Sequence, residues 1–152
     1  MSDELSSEDK EAVLRLVRHS TLTEIRFDEL NARRYGITSD DIAPDKGQFE
    51  VGVQYRIDGE GFGYRINGVL KTQVGEARVS VAAEYSLDDY VPERRHVILF
   101  GNEVAIMAAF PYFREGFWTV TGRVFGEPIN LPIAERGVFT FDVEAELAAA
   151  LG

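Results

Sequence analysis

The chain has 152 residues, 45% of them hydrophobic and 28% charged, the balance of one soluble globular domain rather than of a disordered chain. It has no cysteine, which excludes disulfide frameworks, cysteine–zinc sites and cysteine nucleophiles. The formal net charge of -10 disfavours nucleic acid and anionic membranes, whose charge has the same sign.

The opening Met1-Ser2-Asp3-Glu4 is acidic where a signal peptide would be basic, and no apolar run reaches the roughly 20 residues of a membrane span. The expected address is therefore the cytoplasm. From Ser7 to His19, Val13, Leu16 and Val17 recur at helical spacing and predict a short amphipathic helix. From Thr21 to Leu30, Thr23, Ile25 and Phe27 alternate with Glu24, Arg26 and Asp28, which predicts a half-buried strand. Between Tyr35 and Gln48 a run of glycine, proline and aspartate reads as a long connecting loop that still carries Ile37 and Ile42.

Phe49, Val51, Val53, Tyr55 and Ile57 alternate with polar or small residues, and the Asp58-Gly59-Glu60-Gly61 turn returns the chain through Phe62, Tyr64 and Ile66. Pairing across that turn sets Ile57 opposite Phe62, Tyr55 opposite Tyr64 and Val53 opposite Ile66, with the apolar residues on one face. Asn67-Gly68 is a strong hairpin signal, but a two-residue turn there would mix inside with outside. The strand is therefore expected to continue, bulged at Gly68, to a turn at Gly75-Glu76 that sets Leu70 opposite Val81 and Ile66 opposite Tyr85. The result is a three-strand meander, four strands with the first.

After a polar turn over residues 88–95 comes Val97-Ile98-Leu99-Phe100, then a long helix expected to begin near Asn102, a favourable N-cap. Ile106, Phe110, Phe113, Phe117, Val120 and Val124 form one apolar stripe, with Pro111 inside it. A second stripe of mostly small residues, Ala105, Ala109, Tyr112, Gly116 and Thr119, has Trp118 beside it and suggests a partner helix. A loop over 126–137 follows, then a last helix from about Asp142 to Leu151.

Residues suited to catalysis are few. His19 and His96 stand in charged stretches with no companion at metal spacing, no glycine-rich phosphate loop leads from a strand into a helix, and no nucleophile elbow is present. Neither a catalytic set, a metal site nor a cofactor is expected. Glu103 could activate water in a hot-dog-type thioesterase, but as a first-turn residue it is also favoured by the helix dipole. The 10 Phe, 6 Tyr and 1 Trp include Tyr35, Tyr90, Phe100, Phe125, Phe139 and Phe141 in or beside predicted loops. They either fill a core and an oligomer interface or line an apolar groove for extended chains, kept soluble by the acidic surface.

Phe110-Pro111-Tyr112-Phe113-Arg114-Glu115, Val120-Thr121-Gly122-Arg123 and Pro128-Ile129-Asn130-Leu131 resemble the signature region of SecB and SecB-like chaperones. The resemblance covers the long helix and the loop after it, and the order of elements agrees beyond it. It implies an α+β fold: a four-stranded antiparallel sheet (20–86) with a long helix (101–125) on one face and a loop with a short C-terminal helix (126–152), to which this chain adds the short N-terminal helix read from its periodicity (within 1–19).

The implied function is an ATP-independent holdase for non-native polypeptides, not an enzyme, assembled as a tetramer from two dimers. Ala105, Ala109, Tyr112, Gly116, Trp118 and Thr119 would form the oligomer interface. Clients would lie between Tyr35, Ile37 and Ile42 on one wall and Leu131, Ile133, Val138, Phe139 and Phe141 on the other, while Arg114 and Glu115 would pair at an interface. Exporters carry serine-arginine-glycine where this chain has Thr121-Gly122-Arg123, which is closer to the SecB-like chaperones of toxin–antitoxin systems. That departure, the missing long tail and the added N-terminal helix bear on delivery to the translocase motor SecA rather than on chaperoning. SecA and an antitoxin are the two partners implied. A purely structural oligomerisation domain is the further alternative.

Overall fold

The structure is a computed structural model that describes residues 5–36, 47–131 and 139–151. The first helix, α1 (Ser7–His19), starts where the Ser6 hydroxyl accepts the Asp9 N–H at 3.1 Å. Glu8 and Asp9 in its first turn and Arg18 and His19 in its last match the helix dipole. Ala12, Val13 and Leu16 are its buried face. The Ser20 hydroxyl donates to the Leu16 carbonyl at 2.6 Å, and the chain passes straight into β1 (Ser20–Arg34).

With β2 (Gln48–Ile57), β3 (Gly61–Lys71) and β4 (Gly75–Leu87), this strand forms one antiparallel sheet in the order β1-β4-β3-β2. The link between β1 and β2 thus joins the two edges of the sheet. β1 is longer than its expected span and is irregular at two points, between Leu22 and Glu24 and between Phe27 and Glu29. Those two bulges have a purpose that simple alternation misses. They set Leu22, Ile25, Phe27, Leu30 and Ala32 opposite Tyr85, Ala83, Val81, Val79 and Ala77. Without them Glu24, Arg26 and Asp28 would share the face of Leu22. Thr23, expected inward, lies in the first bulge and donates to the Glu84 carbonyl at 3.1 Å.

The β2–β3 register is the expected one: Ile57 pairs with Phe62, Tyr55 with Tyr64 and Val53 with Ile66. The strand also continues through Asn67-Gly68, but with no shift of register at Gly68. The next turn differs from expectation. It closes at Thr72, whose N–H donates to the Gly75 carbonyl at 2.9 Å and whose hydroxyl accepts the Val74 and Gly75 amides. Leu70 therefore faces Ala77 rather than Val81, and Ile66 faces Val81 rather than Tyr85. The displacement is even, so the inward residues stay inward.

The long helix begins earlier than Asn102. Helical backbone runs from α2 (Arg94–Phe100) through a π-helical turn (Gly101–Ala105) into α3 (Ile106–Phe125). Val97, Ile98, Leu99 and Phe100 show no helical period because all four are buried, enclosed by α1, β2 and α4 (Val143–Leu151). Asn102 caps nothing; its side chain reaches another segment. Gly126, at φ 87°, ends α3 in the left-handed region.

α3 lies across β4, β1 and β3. It settles deeply because β3 offers Gly68 beneath it, where a Cβ would come within 2.4 Å of the Phe113 ring. Phe62, Ile66, Val79, Val81, Phe113 and Phe117 are almost wholly excluded from water between the two layers. The helical stretch Arg94–Phe125 is long and apolar enough to cross a bilayer, but 56% of its most apolar window is buried within the chain, as in a core helix.

Candidate functional site

The described residues after α3 contact the helix at successively earlier positions. Thr121, fully buried, donates to the Phe117 carbonyl at 2.6 Å and accepts the Ile129 N–H at 2.8 Å, which fastens the start of the return. Arg114 donates to the Leu131 carbonyl at 2.9 Å and to Asn130 at 3.1 Å. These are contacts within the chain. Further along, Phe139 stacks on Phe110 with ring centroids 5.4 Å apart. Phe141 reaches Asn102 at the far end.

This return borders the β2 side of the sheet. Phe49 on β2 meets Phe113 and Phe117, with centroids 6.4 and 5.7 Å away, and remains 39% exposed. Val51 and Val53 beside it are half-buried against the core. The result is an apolar cluster in which Phe49 rests on Phe113 and Phe117, Phe139 on Phe110 and Phe110 on Phe113, with Leu131 and Phe141 in the same core. Leu131 is 5% exposed and Phe141 5%, so Phe139 and Phe49 are the accessible members.

Of the residues expected to bind clients, Leu131, Phe139 and Phe141 lie along this return. Ile37, Ile42, Ile133 and Val138 lie outside the described residues. Tyr35 sits at the end of β1, its N–H donating to the Val74 carbonyl at 2.9 Å and its ring under the Arg33 guanidinium at 5.6 Å. Phe49, Val51 and Val53 were read from sequence only as inward strand residues. Their openness follows from position, since β2 is an edge and α3 packs over the other three strands.

The six residues expected at an oligomer interface divide. Ala105 and Ala109 are buried within the chain, and a Cβ on Gly116 would lie 2.9 Å from both Phe27 and Val79 of the chain's own sheet. The small residues Ala105, Ala109 and Gly116 therefore face the chain's own core, Gly116 against the sheet. Tyr112 (46% exposed) and Trp118 (48%) lie on the outer face, with Thr119 half-buried. On the β1 edge Leu22, Phe27 and Leu30 are also partly open to solvent.

The opposite face of the sheet is polar. Arg26 pairs with Glu24, Asp28 and Glu84; Arg56 with Asp58 and Glu84; Arg65 with Asp28. These arginines line a depression of about 280 Å3 whose charges are matched among themselves. At the other end of the molecule, Arg95 joins α1 to α4 through Asp9 at 3.0 Å and Glu144 at 3.1 Å. The hydrogen bond from Arg95 holds the Asp9 carboxyl below its usual range. Burial pushes the Tyr85 phenol up to about 12 and the Tyr64 phenol higher, the latter donating to the Val97 carbonyl. Among the described residues, no three histidine, aspartate or glutamate side chains group as they would around a metal. Glu103, the candidate acid of the thioesterase reading, lies half-buried in the π-helical turn.

No protein-family model matches the chain, and neither does any curated protein. Among solved structures it is similar to the Mycobacterium tuberculosis SecB-like chaperone Rv1957, solved in complex with a ChAD peptide from the HigA1 antitoxin Rv1956. The identity is 21%, the TM-score 0.68, and the match covers 84% of this chain and 99% of that one. The fold of this chain is SecB-like, as its helix and loop motifs implied.

Proposed function

We propose that this chain is a nucleotide-independent chaperone that holds non-native polypeptides in the groove between β2 and the return segment. The observation that carries the reading is a pair of partly exposed phenylalanines, Phe49 and Phe139, each resting on buried phenylalanines of α3 on an otherwise acidic molecule. Apolar burial is non-directional, so such a groove accepts many sequences, and the net charge keeps it soluble. The SecB-like fold supports the same reading. Tyr112 and Trp118 on α3, with Leu22, Phe27 and Leu30 on β1, supply apolar surface for assembly into a dimer or tetramer in the cytoplasm.

The test is light scattering of a chemically unfolded model protein diluted with and without this chain, ATP omitted. Suppression near stoichiometric ratios is expected, lost in Phe49→Asp and Phe139→Asp; unchanged scattering with the wild-type chain refutes the reading.

A second reading narrows the client to one antitoxin. It is favoured by the structural neighbour, which was solved with an antitoxin-derived peptide, and by Thr121-Gly122-Arg123. A toxin–antitoxin pair beside the gene and tight binding of that antitoxin would favour it; capture by SecA would favour the export role.

A further inference from the structure

α1 carries a second apolar edge that its own chain leaves open. Ala12, Val13 and Leu16 pack inward, whereas Leu14 and Val17 are 47% and 48% exposed. One exposed apolar residue is ordinary, but these two stand one turn apart and adjoin on the helix surface. Glu11 lies one turn before Leu14 and Arg18 one turn after it, both exposed. Among the described residues neither Glu11 nor Arg18 makes an ion pair. Arg18 differs in this from Arg26, Arg33, Arg56, Arg65 and Arg95, which are all paired.

The order of these four residues selects what can cover them. An anionic surface suits Arg18 and opposes Glu11; a basic segment does the reverse. A partner that satisfies both presents an acid, an apolar pair and a base in the opposite direction, and a second copy of α1 laid antiparallel does so. The spacing agrees. With Leu14 and Val17 as the two seam positions of a coiled-coil repeat, Glu11 and Arg18, seven residues apart, share one flanking position. In an antiparallel pair Leu14 then meets Val17 of the second copy, and Glu11 meets its Arg18. Two-fold symmetry makes each contact twice, and the helix dipoles run in opposite senses.

We propose that α1 is a homotypic contact through which two copies of this chain pair by Glu11, Leu14, Val17 and Arg18 of antiparallel helices. The inference is independent of the holdase reading and of any assembly through α3 and β1. A helix of 13 residues is about 20 Å long, so the contact is smaller than a stand-alone interface, weak and dependent on concentration.

The experiment uses the full chain, which has no cysteine of its own. Leu14→Cys and Val17→Cys proteins are oxidised separately and as a mixture, and the disulfide-linked dimer is measured. The mixture is expected to give about tenfold more linked dimer than either protein alone, because cysteines of the same number lie about 4.5 Å out of register along the helix, beyond disulfide reach. In sedimentation of the cysteine-free chain over a concentration series, Arg18→Glu is expected to weaken self-association about tenfold, both pairs having turned repulsive. Glu11→Arg combined with Arg18→Glu is expected to restore it. All four positions are exposed, so each variant should melt with the wild type. If Leu14→Cys or Val17→Cys does not fold, the charge-swap series decides alone. Equal linking in the separate and mixed proteins, or a double variant no better than Arg18→Glu, overturns the proposal. So does binding to phosphatidylglycerol vesicles that Arg18→Glu abolishes while the mixture yields no linked dimer, the result for a helix that faces a membrane.

Discussion

Replacing Gly116 with leucine separates two roles for the small residues of α3. If they face a partner, Gly116→Leu forces subunits apart and leaves each chain's own packing intact. In the structure a Cβ at this position stands 2.9 Å from Phe27 Cε1, 2.9 Å from Val79 Cγ1 and 3.2 Å from Leu30 Cδ1. Phe27 and Leu30 are partly exposed and can swing aside, but Val79 is wholly buried in β4 and stiff at its branched Cβ. Overpacking of this kind costs about 1–3 kcal/mol, and the larger side chain puts the cost at the top of that range. Removing a helix-interior glycine returns about 1 kcal/mol, leaving a net loss of about 2 kcal/mol. For a domain of this size that lowers Tm by about 4–8 °C. The assay is a thermal melt over a series of protein concentrations beside native mass spectrometry, because association itself raises Tm. Trp118→Arg, on the outer face, is the control: its unfolding free energy should change by no more than about 0.5 kcal/mol at fixed association state. A Gly116→Leu protein that loses native mass while its concentration-independent stability matches wild type would refute this placement of the stripe.

Thr121→Val keeps the shape of the side chain but strands the Ile129 N–H, so it should cost about 1–3 kcal/mol and speed exchange of that amide. Asp9 titrates lower in the folded chain than in the unfolded one. Its contribution is full above the unfolded value near pH 4 and is lost as pH falls through the folded value, so the Tm gap between wild type and Asp9→Asn should be constant at neutral pH and close below about pH 4. Tyr85 has the opposite sign, its phenol raised by burial to about 12. Stability should fall as pH climbs from 10 towards 12, and Tyr85→Phe, which cannot ionise, should fall less steeply in alkaline melts.

The β2–β3 hairpin was legible in the sequence because one pattern, apolar alternation, and one turn, anchored by Asp58, agree on a single register. The β3–β4 turn was not, since Thr72 and Gly75 close it through side-chain bonds that leave no mark on alternation. β1 hid its true inward set behind two bulges, whose positions depend on the pairing with β4. The start of the long helix was missed for a related reason: a segment buried on all sides has no periodicity to read.

The sequence by itself determined that the chain forms four strands, a long apolar helix and short flanking helices, and its helix and loop motifs pointed to the fold. Periodicity records which side of an element is dry, and motifs record local chemistry. Neither records which neighbour does the covering. Only the tertiary structure decided that the small residues of α3 face the chain's own core, that Arg114 holds Asn130 and Leu131 after the helix, and that Phe49, on the edge strand β2, stays partly exposed beside α3. Those are facts about the depth and lateral position of one helix on one sheet, set by Gly68 and Gly116 together with every residue packed between the layers.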